Sequence, residues 1–104
     1  MERVAFTMKL LPGAAAEYRR RHAAVWPEML DALRAAGCRD YSIYQRDDDL
    51  FGVFEVDDFE RFLTSVDSAE VNARWQAEMA VLIDPCIDPL TGFHRRLEEV
   101  FHLD

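Results

Sequence analysis

Three stretches of the chain alternate with the period of two that is typical of β-strands, and a further stretch is apolar on both faces. The alternation is regular over 4–10 and again over 39–46. The third stretch, 50–56, is apolar on both faces, and the aspartates at 47–49 before it predict a solvated hairpin turn. The last alternating stretch, 97–103, is predicted to be the final strand.

Two stretches with a helical period of about 3.6 residues separate these strands. The first covers residues 14–36, and Pro27 inside it lacks the N–H of a regular helix, so we expect a kink or a break there. The second begins at about residue 59, is interrupted at 65–68, and continues along one apolar stripe to residue 82. Residues 84–92 hold two of the four prolines and are predicted to form a loop.

The resulting order, β-α-β-β-α-β, predicts an α+β protein with a ferredoxin-like four-stranded antiparallel sheet and both helices on one face. The apolar side chains are too many for one face of that sheet. Tyr44, Phe51, Val53 and Val100 would lie opposite the helix-covered face. A homodimer packed through its sheets, of the dimeric α/β-barrel type, is the expected way to cover them.

Composition limits the function classes. The 104 residues, half of them apolar, predict one domain spanning 1–104. A formal charge of −8 argues against a nucleic-acid partner, and no apolar run approaches the roughly 20 residues that a membrane span needs. The first ten residues do not read as a signal peptide. Cys38 and Cys86 form no C-x-x-C pair, so reduced thiols and a cytoplasmic location are expected.

The most informative segment for chemistry is 17–29, EYRRRHAAVWPEM. Tyr18 and His22 are four residues apart, so they share one helix face, and apolar neighbours place that face inward. A phenol and an imidazole on an apolar face need polar partners. Either a neighbouring strand supplies them, which would make His22 a core residue, or a polar ligand does.

Other candidate residues are weaker when taken alone. Trp75 on the second helical stripe is compatible with core packing or with ligand stacking, and Tyr41 is a common strand residue. Glu99 would sit on the last strand, where a solvated glutamate is the default. His94 and His102 lack the spacing of a zinc site, so we interpret them as surface or strand residues.

Together these segments resemble the L-rhamnose mutarotase family, which consists of small dimeric ferredoxin-like enzymes. The resemblance is carried by EYRRRHAAVWPEM, the DYSIY strand, the Arg74-Trp75 pair and the closing EEVFHL. It spans residues 3–103 without large insertions. Its most specific part is the spacing Tyr18-x-x-x-His22-x-x-x-Trp26-Pro27.

The resemblance implies an aldose mutarotase that interconverts the α and β anomers of a 6-deoxy sugar and needs no metal or other cofactor. His22 would be the catalytic proton donor, and Tyr18, Tyr41, Trp75 and Gln76 would bind the sugar. Better-known members have Trp where this chain has Gln76, which leaves the reaction class unchanged. The native sugar stays open between L-rhamnose, L-fucose and other deoxy sugars.

Anomer exchange requires one proton taken from the O1 hydroxyl and another delivered to the ring oxygen. An imidazole is suited to either transfer near neutral pH. The group that handles O1 stays open between Tyr18, Tyr41, Glu99 and water. Two other classes use the same dimeric fold: a cofactor-free or haem-degrading monooxygenase, and a sensory or binding domain in which His22 only packs.

Overall fold

A single antiparallel sheet is built around the first strand. The computed structural model describes all 104 residues. In chain order its elements are β1 (Glu2–Leu10), α1 (Ala15–His22), α2 (Pro27–Ala35), β2 (Arg39–Arg46), β3 (Asp49–Val56), α3 (Phe59–Asp67), α4 (Glu70–Met79), β4 (Ile83–Asp84) and β5 (Arg96–Leu97). The strand order is β2-β3-β1-β4, and β5 also pairs with β1. This topology confirms the predicted ferredoxin-like arrangement.

The core lies between this sheet and the helices. Val4, Phe6, Met8 and Leu10 point to the helix-covered face of β1 and are buried, as the alternation predicts. The helices contribute the other side of the core, and α2 contacts both α3 and α4. Because every second residue of β1 is buried beneath the helices, only this face of the sheet can carry an enclosed site.

Phe6 has a special place in this core. It is opposite Gly52 in the antiparallel register of β1 and β3. A methyl group added to Gly52 would overlap the Phe6 ring, so the ring lies directly across the glycine backbone. The ring also contacts Tyr41 edge-on, with 6.1 Å between centroids. Gly52 thus allows a large aromatic ring to lie flat on the sheet beneath the helices.

Pro27 breaks the first helical stretch, as predicted. Helix α1 ends at His22, and α2 begins with Pro27 as its first residue. Trp26 has an extended backbone (φ −56°, ψ 132°), and its carbonyl oxygen accepts the N–H groups of Met29 and Leu30. Proline is favoured at this position because the first helical N–H has no partner within the helix. The break turns the chain immediately after the Tyr18–His22 pair.

The second helical stretch is also divided, but its bounds differ from the prediction. Helix α3 continues through Asp67, so the interruption is confined to Ser68 and Ala69. Helix α4 ends at Met79, three residues before the predicted end at Leu82. Leu82 donates its N–H to the Met79 carbonyl in a turn that leads into β4. The apolar stripe continues past the helix because these residues still pack in the core.

The predicted last strand over 97–103 is wrong in extent. Only Arg96 and Leu97 pair with β1, opposite Phe6 and Ala5, and residues 98–104 have no regular structure. Val100, Phe101 and Leu103 are more than three-quarters exposed. No surface within the chain buries either face of this tail, so its alternation has nothing to hold it in register. The short strand β4 occupies the β1 edge near Leu10 instead.

The face of the sheet opposite the helices carries apolar side chains, as predicted. Tyr44 is largely exposed, and Phe51 and Val53 are only partly buried. In the tail 98–104, the apolar side chains of Val100, Phe101 and Leu103 add further exposed surface. No helix is long and apolar enough to cross a lipid bilayer.

Candidate active site

A cavity of about 670 Å³ opens between the sheet and the helices. Sixteen of its 23 lining residues are apolar, so the polar side chains in its wall act in a medium of low polarity. The volume is in the range of small-molecule sites. The wall residues with polar or large aromatic side chains include His22, Tyr41, Asn72, Trp75, Gln76 and His94.

His22 is presented to this cavity by the last turn of α1. Its Nδ1 atom lies 3.0 Å from the carbonyl oxygen of Tyr18. A carbonyl oxygen can only accept, so Nδ1 carries the proton in this bond, and the neutral ring exposes Nε2 as a proton acceptor. Nε2 has no partner within the chain, and no side-chain polar atom is both buried and unpaired, so Nε2 is accessible.

The protonation of His22 reflects its surroundings. Burial lowers the pKa of the ring below its usual value of 6.5, while the bond to the Tyr18 carbonyl acts weakly in the opposite direction. The ring is therefore mainly neutral at pH 7. A neutral imidazole with an accessible Nε2 can accept a proton and return it, which is the behaviour of a general acid and base.

The ring of Tyr18 packs against one face of the His22 ring. The two rings are stacked with 4.1 Å between centroids, and Tyr18 is buried. Burial raises the pKa of the phenol to about 12, so it stays protonated. Tyr18 lines a smaller hollow, formed also by Arg19, Tyr44 and Gln45, and does not line the larger cavity. His22 belongs to both walls and separates the two spaces.

Tyr41 reaches the larger cavity from β2. A register shift between Arg39 and Ser42 lets this part of the strand depart from the regular ladder. More than a third of Tyr41 is exposed, yet its ring packs against Phe6 and Phe54. Burial, followed by the neighbouring Tyr18, raises the pKa of its phenol. The phenol is thus a neutral hydrogen-bonding group that opens onto the cavity.

Trp75 and Gln76 enter the cavity from α4. Trp75 is buried, and its ring meets His22 edge-on at 5.4 Å and Trp26 edge-on at 5.0 Å. The Gln76 amide nitrogen donates to the Asn72 side-chain oxygen over 3.2 Å. Trp75 therefore forms an apolar wall beside the imidazole, and Gln76 forms the polar edge next to it.

Glu99 is not brought to this cavity. It follows β5 in the exposed tail, where its carboxylate lies 3.8 Å from Arg3. Arg3 is on the sheet face opposite the helices, together with Glu55. The predicted last strand would have placed Glu99 differently, and the loss of that strand removes the reason to consider it near O1.

His94 is the cavity residue that sequence reasoning missed. It was interpreted as a surface or strand residue, but it lines the larger cavity, and its ring stacks on Phe6 at 4.7 Å. Its Nδ1 atom contacts the carbonyl oxygen of Pro85 at 2.5 Å. Only the path of the 85–95 loop brings it inward, and no local pattern in the sequence reports that path.

A ferredoxin-like sheet whose cavity is lined by a half-buried imidazole, the phenol of Tyr41 and an indole defines a small-molecule binding protein equipped for proton transfer. The family model described as L-rhamnose mutarotase matches residues 3–103. The chain is 44% identical to the L-rhamnose mutarotase of Burkholderia orbicola (strain MC0-3), with all of both chains covered. It is 41% identical to that of Rhizobium meliloti (strain 1021), with 99% of both covered.

A solved structure gives the same result. The crystal structure of L-rhamnose mutarotase from Formosa agariphila matches with a TM-score of 0.82 at 30% identity, covering 100% of both chains. The chain belongs to the L-rhamnose mutarotase family, which confirms the resemblance drawn from its sequence.

Proposed function

We propose that this protein is an aldose mutarotase that interconverts the α and β anomers of L-rhamnose. Membership of the family supports the reaction. The observation that carries the proposal is the position of His22, whose ring is anchored at Nδ1 and open at Nε2 in the wall of a largely apolar cavity. An inert core histidine would have both nitrogens engaged or sealed.

The reaction moves two protons and leaves no net change on the enzyme. A base takes the O1 proton while His22, in its imidazolium form, gives a proton to the ring oxygen. The C1–O5 bond breaks, the aldehyde forms, and rotation about C1–C2 exposes its other face. The C5 hydroxyl then attacks, its proton returns to His22, and the base returns the first proton to O1. One positioned acid or base contributes about 10²–10⁴ to such a rate.

The remaining site residues bind the sugar in this proposal. Trp75 stacks against the apolar face of the ring and packs against the C6 methyl group, which favours a 6-deoxy sugar. Tyr41 from β2 and Gln76 from α4 donate hydrogen bonds to hydroxyl groups of the sugar. Tyr18, stacked on His22, bonds a hydroxyl that extends past the imidazole towards the smaller hollow.

The protein is proposed to act as a homodimer in the cytoplasm. The exposed Tyr44 on the outer sheet face and the exposed Val100, Phe101 and Leu103 of the tail support a second copy as the cover. Two cysteines without a disulfide, Cys38 in the core and Cys86 in the 85–95 loop, support a reducing compartment.

Magnetisation-transfer NMR tests the activity directly. Saturating the anomeric proton of one L-rhamnose anomer should reduce the signal of the other when the protein is present. D-glucose, which has a hydroxyl on C6, should show much weaker transfer. Absence of transfer above the spontaneous rate for every sugar would remove the proposed function. Equal enhancement for L-rhamnose, D-glucose and D-galactose would remove the preference for a 6-deoxy sugar.

A further inference from the structure

The larger cavity contains a second imidazole that the roles proposed above do not use. His94 lies on the 85–95 loop, and both it and His22 line the cavity. In each ring Nδ1 faces a main-chain carbonyl oxygen, that of Pro85 for His94 and that of Tyr18 for His22. Since a carbonyl only accepts, both neutral rings carry their proton on Nδ1 and leave Nε2 as an acceptor.

The His94 ring is held firmly on its other sides. It stacks on Phe6 with an interplanar angle of 14°, and Phe93 meets it edge-on at 4.8 Å. Ile87 and His94 also form an isolated backbone bridge that closes the loop. Nε2 has no hydrogen-bond partner in the chain, yet no polar side-chain atom is sealed and unpaired. The loop therefore fixes the ring and leaves one nitrogen open.

We propose that His94 is the base that takes and returns the O1 proton while His22 serves the ring oxygen. The inference rests on the proposed mutarotase function and deepens it. Anomer exchange needs one group that is protonated and one that is not at the same moment. Two imidazoles in one cavity supply both, whereas the phenols of Tyr18 and Tyr41 are held protonated by burial.

The proton balance closes on these two residues. Neutral His94 receives the O1 proton at Nε2 as His22 gives its own to the ring oxygen. After rotation, His22 recovers a proton from the C5 hydroxyl, and His94 returns the first proton to O1. Both residues end as they began. No further acid, base or cofactor enters.

The electrostatic surroundings of His94 are sparse. The titratable side chains that share its cavity are His22, Tyr41 and Asp67. Its own loop adds Cys86, Asp88 and the adjacent Arg95, and β1 presents the Phe6 ring to it. Burial lowers the pKa of His94, and the Pro85 carbonyl opposes this weakly. Burial therefore keeps both imidazoles mainly neutral at pH 7.

A pair of variants separates the open nitrogen from the structural one. In His94→Asn the amide nitrogen stands where Nδ1 stood, so the Pro85 contact is kept and Nε2 is lost. In His94→Gln the Pro85 contact is lost as well, and the amide again cannot act as a base. We expect His94→Asn to lose roughly 10²-fold in L-rhamnose exchange while keeping the wild-type circular dichroism and thermal midpoint. His102→Gln, an exposed residue bonded to Arg3, is the matched control and should retain full exchange.

The pH profile shows a role that mere support of the loop would not affect. The rate of L-rhamnose exchange by the wild type should show a bell-shaped dependence on pH, because both rings are protonated at low pH and both are neutral at high pH. His94→Asn should lose the acidic fall, since the base is absent at every pH, and should keep the alkaline fall due to His22. A folded His94→Asn protein with wild-type rate or an unchanged bell overturns the proposal.

A measurement on the unmodified protein still tests the role of His94 if a variant fails to fold. The three imidazoles can be followed by ¹⁵N NMR, and L-rhamnose should shift Nε2 of His94 and His22 but not of His102. An unshifted His94 resonance at saturating sugar overturns the inference. Wild-type exchange is measured first, so an inactive wild type refutes the proposed function, whereas an active wild type with unaffected His94 variants refutes only the role of His94.

Discussion

The Nδ1 atom of His22 lies 3.0 Å from the Tyr18 carbonyl oxygen, one helical turn earlier in the same helix. This bond selects the tautomer and directs Nε2 away from the helix backbone. The Tyr18 ring, stacked on the imidazole, prevents the side chain from rotating into solvent. One pair of residues four positions apart thus fixes the orientation and the protonation pattern of the candidate acid.

The first prediction separates these two functions of the ring. His22→Asn keeps a donor where Nδ1 stood, so the bond to the Tyr18 carbonyl survives, but Nε2 is lost. We expect L-rhamnose exchange to fall by about 10²–10⁴ with little change in the free energy of unfolding. His22→Gln loses the carbonyl contact as well and should be less stable in urea titration. Wild-type exchange by a folded His22→Asn protein would make His22 a structural residue.

The second prediction concerns stability against pH. The pKa of His22 and that of His94 are both lower in the folded protein than the usual value of 6.5, mainly because of burial. The unfolded chain then binds more protons than the folded one between those values, so the free energy of unfolding decreases as pH falls. The loss should begin near pH 6.5 and continue through the lowered pKa values.

Urea unfolding at successive pH values between 8 and 5 measures this effect. Replacing both residues with Asn should flatten the decrease over the upper part of that window, whereas His102→Gln should leave it unchanged. The carboxylates contribute mainly at lower pH, as Glu17, with its pKa lowered to about 2 by Arg20 and Arg21, illustrates. An identical slope in the double variant would show that neither imidazole is perturbed.

The third prediction addresses the indole wall. Trp75 is buried against both His22 and Trp26, so Trp75→Ala should cost about 3–5 kcal/mol of unfolding free energy. Trp75→Phe keeps an aromatic face, and loss of the larger ring should raise KM for L-rhamnose roughly 2–12-fold. Trp26→Phe is the matched control, because Trp26 contacts Trp75 but does not line the cavity. Equal KM changes in the two Phe variants would argue against stacking by Trp75.

Much of the fold could be predicted because the residues that are apolar at regular intervals along the sequence are the residues that the core buries. The alternation of 4–10 became β1, with its even-numbered residues in the core, and Pro27 ended one helix and began another. Residues 97–103 alternate equally well, but only the first of them pairs with β1. Period alone predicts a strand wherever it occurs, whereas a strand also needs a partner and a covered face.

The same distinction applies to the candidate site: residues on regular helices could be predicted, and a residue on an irregular loop could not. Tyr18 and His22 could be found because α1 sets their spacing, and Trp75 because α4 carries a regular stripe. His94 could not, because an irregular loop brings it inward through the Pro85 contact and the Phe6 ring. The placement of Tyr18 in a separate hollow also depends on how the His22 ring packs, which spacing does not report.

The fourth prediction tests the homodimer. Val53 lies on the outer face of β3, partly buried beside the exposed Tyr44. Light scattering at micromolar concentration should give twice the chain mass of 12.1 kDa. Val53→Lys should shift the protein towards the single-chain mass, because a charge in an apolar interface is costly. Glu60→Lys, at an exposed position of α3, is the control for added positive charge. A wild-type mass near 12.1 kDa would contradict the assembly.

The last prediction follows from the Phe6–Gly52 contact. A methyl group on Gly52 overlaps the Phe6 ring, and neither residue can move freely because they are paired in adjacent central strands. Gly52→Ala should therefore destabilise the protein by about 1–3 kcal/mol. The displaced ring would also disturb His94, which stacks on it, and Tyr41, which meets it edge-on, so L-rhamnose exchange should fall in the folded variant.

A compensating substitution distinguishes this clash from a general effect of alanine in the strand. Phe6→Leu removes the ring atoms nearest to position 52, so Gly52→Ala should cost less in that background than in the wild type. Urea titrations of the two single variants and the double variant give the coupling energy. Strictly additive costs would mean that Gly52 is not needed for the Phe6 ring, and that some other feature of β3 requires a glycine there.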